Sequence, residues 1–147
     1  MTAAKDIFRV LEGPQRYHKL LREIDMEIDR VRAGFEAGSP SLSFAPGGGG
    51  GKRDLSVYYC RVEDLIKCRK AAYDRYGMSV QKVLQVLDGC ENKTAKRLLQ
   101  LVYVGGLTRA QAAEMCGVSY DCAYTMMRRQ IMRLAKIYQC NNGEETA

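Results

Sequence analysis

Basic side chains are concentrated in the last third of the chain, where they would form a surface that attracts anions. The chain of 147 residues has a net charge of +6 at pH 7. Between Lys93 and Gln139 two acidic residues, Glu114 and Asp121, stand against eight basic ones: Lys93, Lys96, Arg97, Arg109, Arg128, Arg129, Arg133 and Lys136. This local excess equals the net charge of the whole chain. A nucleic-acid backbone requires such an excess, although many basic faces are only solvated.

Residue types and spacing give little support to metal, nucleotide or catalytic chemistry. The cysteines form no C-x-x-C pair and the only histidine is His18, so no metal and no cofactor are expected. No acid pair or nucleophile arrangement is recognisable, so no enzyme is expected. Gly51 and Lys52 resemble a phosphate-binding loop, but Pro46 replaces its first glycine and Arg53 its Ser or Thr. Reduced thiols acting as small apolar side chains are expected at Cys60, Cys68, Cys90, Cys116, Cys122 and Cys140.

Start and stop signals divide the basic segment into three helices. Gly105 and Gly106 end the first helix, and Thr108 is a good N-cap for the second, with Gln111 at the capping-box position. Gly117 then makes a tight turn, and Ser119 caps the third helix. The helices are predicted at 94–104, 109–116 and 120–138.

The two helices around Gly117 match the helix-turn-helix template. The template needs a small residue in its first helix, here Ala113, and four positions later a turn glycine, here Gly117. An apolar residue, here Val118, must follow. The remaining inward positions are expected to be Ala112, Cys116, Ala123, Met126 and Met127. A plain helical hairpin with a glycine turn is the alternative, and the clustered positive charge favours DNA binding over it.

The stretch GLTRAQAAEMCGVSYDCAYTMMRRQIMRL, residues 106–134, resembles region four of sigma-70-type factors. With the upstream stretch QVLDGCENKTAKRLLQLVYVGGLT, the chain is similar to small phage and prophage late-gene regulators of the ArpU and RinA kind. The resemblance is specific in the C-terminal third and weak in the N-terminal half. Ala112 and Cys116 replace larger aliphatic residues, and Ala123 replaces a β-branched one. No segment for melting a core promoter is present, so a complete sigma factor is not implied.

The resemblance implies roles for individual side chains of the third helix and of the second helix's start. Base-reading positions would be Ser119, Tyr120, Asp121, Tyr124, Thr125 and Arg128. Arg128 is the best candidate for guanine, because its guanidinium can donate two hydrogen bonds to that base edge. Phosphate-holding positions would be Thr108, Arg109, Arg129 and Arg133. Tyr120 and Tyr124 could instead pack against a neighbouring helix.

The N-terminal half is predicted to be a coiled-coil-like helical hairpin. An apolar seam follows the 4-3-4-3-4 spacing of one helix face, at Tyr17, Leu21, Ile24, Ile28, Val31 and Phe35. Its partner could be a second helix, predicted from Leu55 to Tyr76 and ended by Gly77, or the same helix of another subunit. A short helix capped by Ser79 would follow. The domains are therefore a charged helix at 1–37, a flexible Gly-rich linker at 38–53, a long and a short helix at 54–91, the helix-turn-helix domain at 92–139 and a tail at 140–147.

The sequence predicts an all-α, DNA-binding regulator of transcription. The expected partners are double-stranded DNA, RNA polymerase and, through the N-terminal helices, a second copy of the chain. No run of apolar residues is long enough for a membrane span, and the charged N-terminus is unlike a signal peptide, so the cytoplasm of a bacterial host is expected. Two alternatives remain open: the DNA-recognition subunit of a phage terminase, and a protein-binding adaptor on a helix-turn-helix fold.

Overall fold

The computed structural model describes the backbone of residues 2–42 and 51–145, and the side chains of 5–36 and 55–143. These residues form helices and contain no strand, so the all-α prediction is confirmed. The α-helices are α1 (Thr2–Leu11), α2 (Gly13–Leu42), α3 (Gly51–Leu87), α4 (Lys93–Leu99), α5 (Arg109–Cys116) and α6 (Tyr120–Glu145). A π-helical segment, Gln100–Val104, continues α4.

The chain divides into two compact units, and the boundary between them falls inside α2 and inside α3. One unit joins the residues up to Arg16 to those from Tyr76 onward; the other is Tyr17–Arg75. The core of the first unit draws on five helices: Ile7 and Leu11 of α1, Val83 and Leu87 of α3, Leu98 and Leu99 of α4, Ala112 and Ala113 of α5, and Ala123, Met127, Ile131, Leu134 and Ala135 of α6. Helix α1, which lies in the part of the chain before the predicted α2 seam, therefore supplies two core side chains.

In the second unit α2 and α3 run antiparallel. Arg69 donates from Nε to Asp25 at 2.7 Å, and ten residues further along α2 the ring of Phe35 stacks on Tyr58 with centroids 4.2 Å apart. Ile28 is buried, and the other seam residues of α2 are half-buried. Within the chain, α3 therefore covers at least part of the seam that the sequence predicts.

α3 is a single helix, so the predictions that Gly77 ends it and Ser79 starts another are wrong. Ser79 does not act as a cap; its hydroxyl donates to the carbonyl of Tyr76 at 2.7 Å. The continued helix places Val83 and Leu87 in the core with no exposed surface. Burying each of these side chains stabilises the fold by about 1.5–3 kcal/mol, which exceeds the roughly 0.5–1 kcal/mol that an interior glycine costs a helix.

Helices reach into both ends of the segment 38–53, where the sequence predicts a flexible linker. Helix α2 continues to Leu42 and α3 begins at Gly51, so both ends of that segment are helical. Extending an existing helix needs no new nucleation, so helices can run beyond their last apolar residue. The glycines from Gly47 to Gly50 lie outside the described residues.

Candidate nucleic-acid interface

The start of α5 is fixed by a reciprocal pair of hydrogen bonds. The backbone N–H of Gln111 donates to Thr108 Oγ1 at 3.2 Å, and the Thr108 N–H donates to Gln111 Oε1 at 3.0 Å. This is the predicted capping box. It satisfies two amide donors that the first turn of a helix leaves unpaired.

Gly117 makes the turn between α5 and α6 in the left-handed conformation, with φ of +69°. The N–H of Val118 reaches back to the carbonyl of Ala113 at 3.0 Å, and the Gly117 N–H to that of Glu114 at 3.1 Å. A Cβ at Gly117 would meet no atom within 4 Å. Backbone conformation, and not space, therefore calls for glycine at this turn, as the sequence predicts.

Small side chains let α5 and α6 approach closely. Ala112 and Ala123 have no exposed surface, and Ala113 and Met127 are also buried. Cys116, Val118 and Met126 are half-buried around them. The inward positions predicted for this helix pair therefore point inward, Met126 less completely than Met127.

The first of the three predicted helices occupies its expected range, but its last five residues are π-helical and not α-helical. Asn92 caps α4 by accepting from the N–H groups of Thr94 and Ala95, and the five residues from Gln100 to Val104 are π-helical. A Cβ on Gly105 would lie 2.7 Å from the carbonyl oxygen of Leu101, so the end of this segment requires glycine. From α2, Gln15 donates to the carbonyl of Tyr103 at 3.2 Å. No residue pattern indicates this π-helix, although such segments are common at functional sites.

The base-reading candidates share the exposed side of α6 and the residue before it. Ser119, Tyr120, Asp121, Tyr124, Thr125 and Arg128 are all exposed. Two hydroxyls already have local partners: Ser119 Oγ accepts from the N–H of Cys122 at 3.3 Å, and Thr125 donates to the carbonyl of Asp121 at 2.9 Å. Tyr120 and Tyr124 are 50% and 40% exposed, so neither is fully packed against a neighbouring helix.

The phosphate candidates lie in different surroundings. Thr108 is engaged in the capping box, and the guanidinium of Arg109 lies over the ring of Tyr124, 5.3 Å from its centroid. Arg129 is exposed. Arg133 forms an ion pair with Glu91, which precedes α4.

A groove of about 530 Å³ runs along the exposed side of α6, and we call it the basic groove. Its lining comprises Tyr124, Thr125, Arg128, Arg129, Met132, Arg133 and Lys136. Among the ion pairs of the described side chains, Arg133 is the one cation of this group with a carboxylate partner. Lys136 is part of the charge excess but not of the predicted site, although its i+3 spacing from Arg133 puts it on the same helix face.

Charge and burial shift several pKa values around the groove. The hydrogen bond from Arg133 and its positive charge hold the pKa of Glu91 below its usual range. The same hydrogen bond raises the pKa of Arg133. Burial raises the pKa of Tyr103, an effect that the charge of Arg109 opposes. Arg133 therefore stays cationic, and Tyr103 stays a neutral phenol, at neutral pH.

Next to the basic groove lies a second, mainly apolar cavity of about 360 Å³. Phe8 of α1, Met127 and Ile131 line its interior, and Arg109, Tyr124 and Arg128 also contribute to its lining. Arg128 therefore borders both spaces. Arginine combines an apolar stem with a charged end, so one side chain can line an apolar cavity and a basic surface together.

No metal-binding group is found in the part of the chain that the structure describes, where no three His, Cys, Asp or Glu side chains come together. The six cysteines are free thiols. None of the described helices has the length and apolar character that crossing a membrane requires.

Comparison of the chain with protein-family models, with curated proteins and with solved structures finds no match.

Proposed function

We propose that this protein binds double-stranded DNA with α6 in the major groove and regulates transcription. The observation that carries the proposal is the basic groove, where Arg128, Arg129 and Lys136 present positive charge on the exposed face of the helix that follows the glycine turn. A helix is about 10–12 Å wide with its side chains, which matches a major groove of about 12 Å. In this arrangement α5 crosses the phosphate backbone.

The first three turns of α6 carry the sequence reading in this proposal. Tyr120, Asp121 and Tyr124 are exposed and polar, and they precede the cations along the helix. Arg128 reads a guanine edge, whereas Arg109 and Arg129 hold phosphates on either side. From the resemblance to sigma-70 region four we propose RNA polymerase as a second partner, and the cytoplasm of a bacterial host as the place where both are met.

Selection of binding sites from random duplexes, followed by titration at several salt concentrations, tests the proposal. Arg128→Ala should weaken the preferred site by about 1–3 kcal/mol and relax the choice at one base pair. Arg129→Ala should weaken all duplexes alike and lower the slope of log K against log salt by about one. The contacts differ because a base edge is specific to one sequence, whereas phosphates occur on every duplex.

Lys19→Ala is the matched control. Lys19 is an exposed cation on α2, outside the basic groove, so its loss changes the net charge equally. If Lys19→Ala weakens binding as much as Arg129→Ala does, net charge explains the affinity and the groove has no special role. If the parent shows no salt-dependent duplex binding, the DNA proposal is abandoned. If it does bind, genome-wide mapping of the tagged protein distinguishes a regulator, found at promoters, from a terminase subunit, found at phage packaging sites.

A further inference from the structure

Helix α3 has a second apolar stripe beside the one that packs on α2. Tyr58 and Val62 belong to the side of α3 that faces the α2 seam, since Tyr58 stacks on Phe35 and Val62 is buried. A quarter turn away, three large side chains recur every seven residues: Tyr59, Ile66 and Tyr73. They are 61%, 50% and 64% exposed. We call these three residues the outer stripe.

Spacing of seven residues keeps the outer stripe on one side of a supercoiled helix. A helix with apolar residues at a, d and e positions has a wider apolar face than the a and d seam of a coiled coil. Helix α3 has this wider pattern, and α2 covers the a and d positions. The outer stripe lies at the e positions and stays at least half exposed, so it offers an apolar surface to a further helix.

The outer stripe has the same pattern in both directions along the chain. Tyr59 precedes Ile66 by seven residues and Tyr73 follows it by seven. Beside the stripe, exposed Glu63 lies three residues before Ile66 and exposed Lys70 four residues after it. Glu63 also lies 4.0 Å from Lys67 of the same helix; such an exposed pair contributes little, so the carboxylate stays open to a second cation. In an antiparallel pair of α3 helices centred on Ile66, Tyr59 of each copy meets Tyr73 of the other. Glu63 of each copy lies opposite Lys70 of the other. A parallel pair would instead set Glu63 against Glu63 and Lys70 against Lys70, which is unfavourable.

We propose that the outer stripe is the interface of a homodimer in which two α3 helices pack antiparallel about a two-fold axis at Ile66. A two-fold axis requires a surface that is complementary to itself, and the order of Tyr59, Glu63, Ile66, Lys70 and Tyr73 meets that requirement. The contact extends over about 21 Å of helix. Three apolar residues per copy are far fewer than the roughly 20–30 residues a side of a standard stable complex, so the dimer is weak and reversible.

This dimer differs from the one that the sequence suggests, in which the seam of α2 is covered by a second subunit. It is also independent of duplex binding, because none of its residues belongs to the basic groove. The two proposals can therefore fail separately.

Sedimentation of the full chain over a range of concentrations is the first test. The mass of the parent should rise from 16.5 kDa toward twice that value. Ile66→Glu places an unpaired charge at the axis and should raise the dimer dissociation constant at least roughly tenfold. Met26→Glu is the control, because Met26 is 59% exposed on α2 outside the outer stripe. A parent that stays at 16.5 kDa up to about 1 mM, or an equal effect of Met26→Glu, overturns the proposal.

Oxidative cross-linking tests the orientation. Exposed Cys60, Cys68, Cys122 and Cys140 are first replaced by serine. Ile66→Cys should then form a covalent dimer, because the residue at the axis lies beside its own copy. Tyr59→Cys and Tyr73→Cys should each fail alone, since each lies about 21 Å from its copy, but should cross-link when mixed. A covalent dimer of Tyr59→Cys alone would indicate a parallel pair, and no cross-link at Ile66→Cys would exclude this interface.

Discussion

At the scale of single residues, Glu91 determines how much charge the basic groove offers. It precedes α4 in the sequence and pairs with Arg133 of α6, forty-two residues later. Of the groove cations, Arg128, Arg129 and Lys136 are exposed, whereas Arg133 is half-buried and held by this carboxylate. Arg133 is predicted from the sequence to hold phosphate. No sequence pattern indicates Glu91 as its partner, because the pairing depends on how α4 packs against α6.

Glu91→Gln should strengthen duplex binding. Glutamine has nearly the same shape but no charge, so Arg133 becomes available to phosphates and the slope of log K against log salt should steepen by about one. The pKa of Glu91 is lowered in the folded protein, so the ion pair is present at neutral pH and lost as the pH falls through that lowered pKa. Titrations of parent and variant should therefore converge in acid. Glu23→Gln, at an exposed site on α2, is the control; equal gains from both variants would argue against a local effect.

Cys90 should react slowly with alkylating reagents. Burial raises the pKa of its thiol, and the nearby charges of Lys96 and Arg133 only partly oppose that effect. The thiolate is the reactive form, so alkylation of Cys90 should accelerate only at alkaline pH. Mass spectrometry of peptides after timed exposure to iodoacetamide measures the rate at each cysteine. Faster modification of Cys90 than of the exposed Cys60 and Cys68 would show that the packing around Cys90 opens readily.

At the scale of elements, two glycines differ in the backbone conformation that they adopt, although both have room for a side chain. Gly117 has φ of +69° and ends α5, whereas Gly77 lies within α3 in ordinary helical conformation. An added Cβ meets nothing within 4 Å at either site. Any difference between alanine substitutions at the two sites therefore reflects backbone conformation alone.

Gly117→Ala should lower the free energy of unfolding by about 1–2 kcal/mol, because L side chains disfavour the left-handed region. Gly77→Ala should raise it by about 0.5–1 kcal/mol, because alanine favours a helix interior. Urea unfolding followed by circular dichroism measures both changes. Destabilisation by Gly77→Ala would mean that α3 is interrupted at this position in solution, as the sequence suggests.

Helix caps and tight turns are the features that the sequence predicts reliably, because they depend on neighbouring residues. The capping box at Thr108, the turn at Gly117 and the cap at Ser119 each depend on residues within four positions, and all three are present. The prediction that α3 ends at Gly77 is wrong, because burial of Val83 and Leu87 outweighs the low preference of glycine for a helix interior. The π-helical segment also escaped prediction. A Cβ at Gly105 would lie 2.7 Å from Leu101 and one at Gly106 would lie 3.3 Å from the distant Gln15, and no residue pattern indicates these close approaches.

At the scale of the whole molecule, the basic helices depend on residues from the beginning of the chain. The predicted DNA-binding domain covers 92–139, but the core beneath it also contains Ile7, Leu11, Val83 and Leu87. Periodicity of the sequence cannot reveal this, because it shows which face of a helix is apolar but not what covers that face. Helix α1 packs directly on α6, the helix that carries the basic groove.

Leu11→Ala should therefore destabilise the unit that carries the basic groove, although the substitution lies about a hundred residues before that groove in the sequence. Leu11 has no exposed surface, and removing a fully buried leucine side chain costs about 2–5 kcal/mol, including the cavity that remains. Leu20→Ala is the matched control, since Leu20 is 38% exposed on α2 and should change the free energy of unfolding far less. Urea unfolding monitored by circular dichroism gives the stability of each variant. Hydrogen exchange of amides in α6 then shows whether the loss reaches that helix. If Leu11→Ala leaves the exchange in α6 unchanged, α1 is not part of the core that holds the basic groove, and residues 76–145 should fold without it.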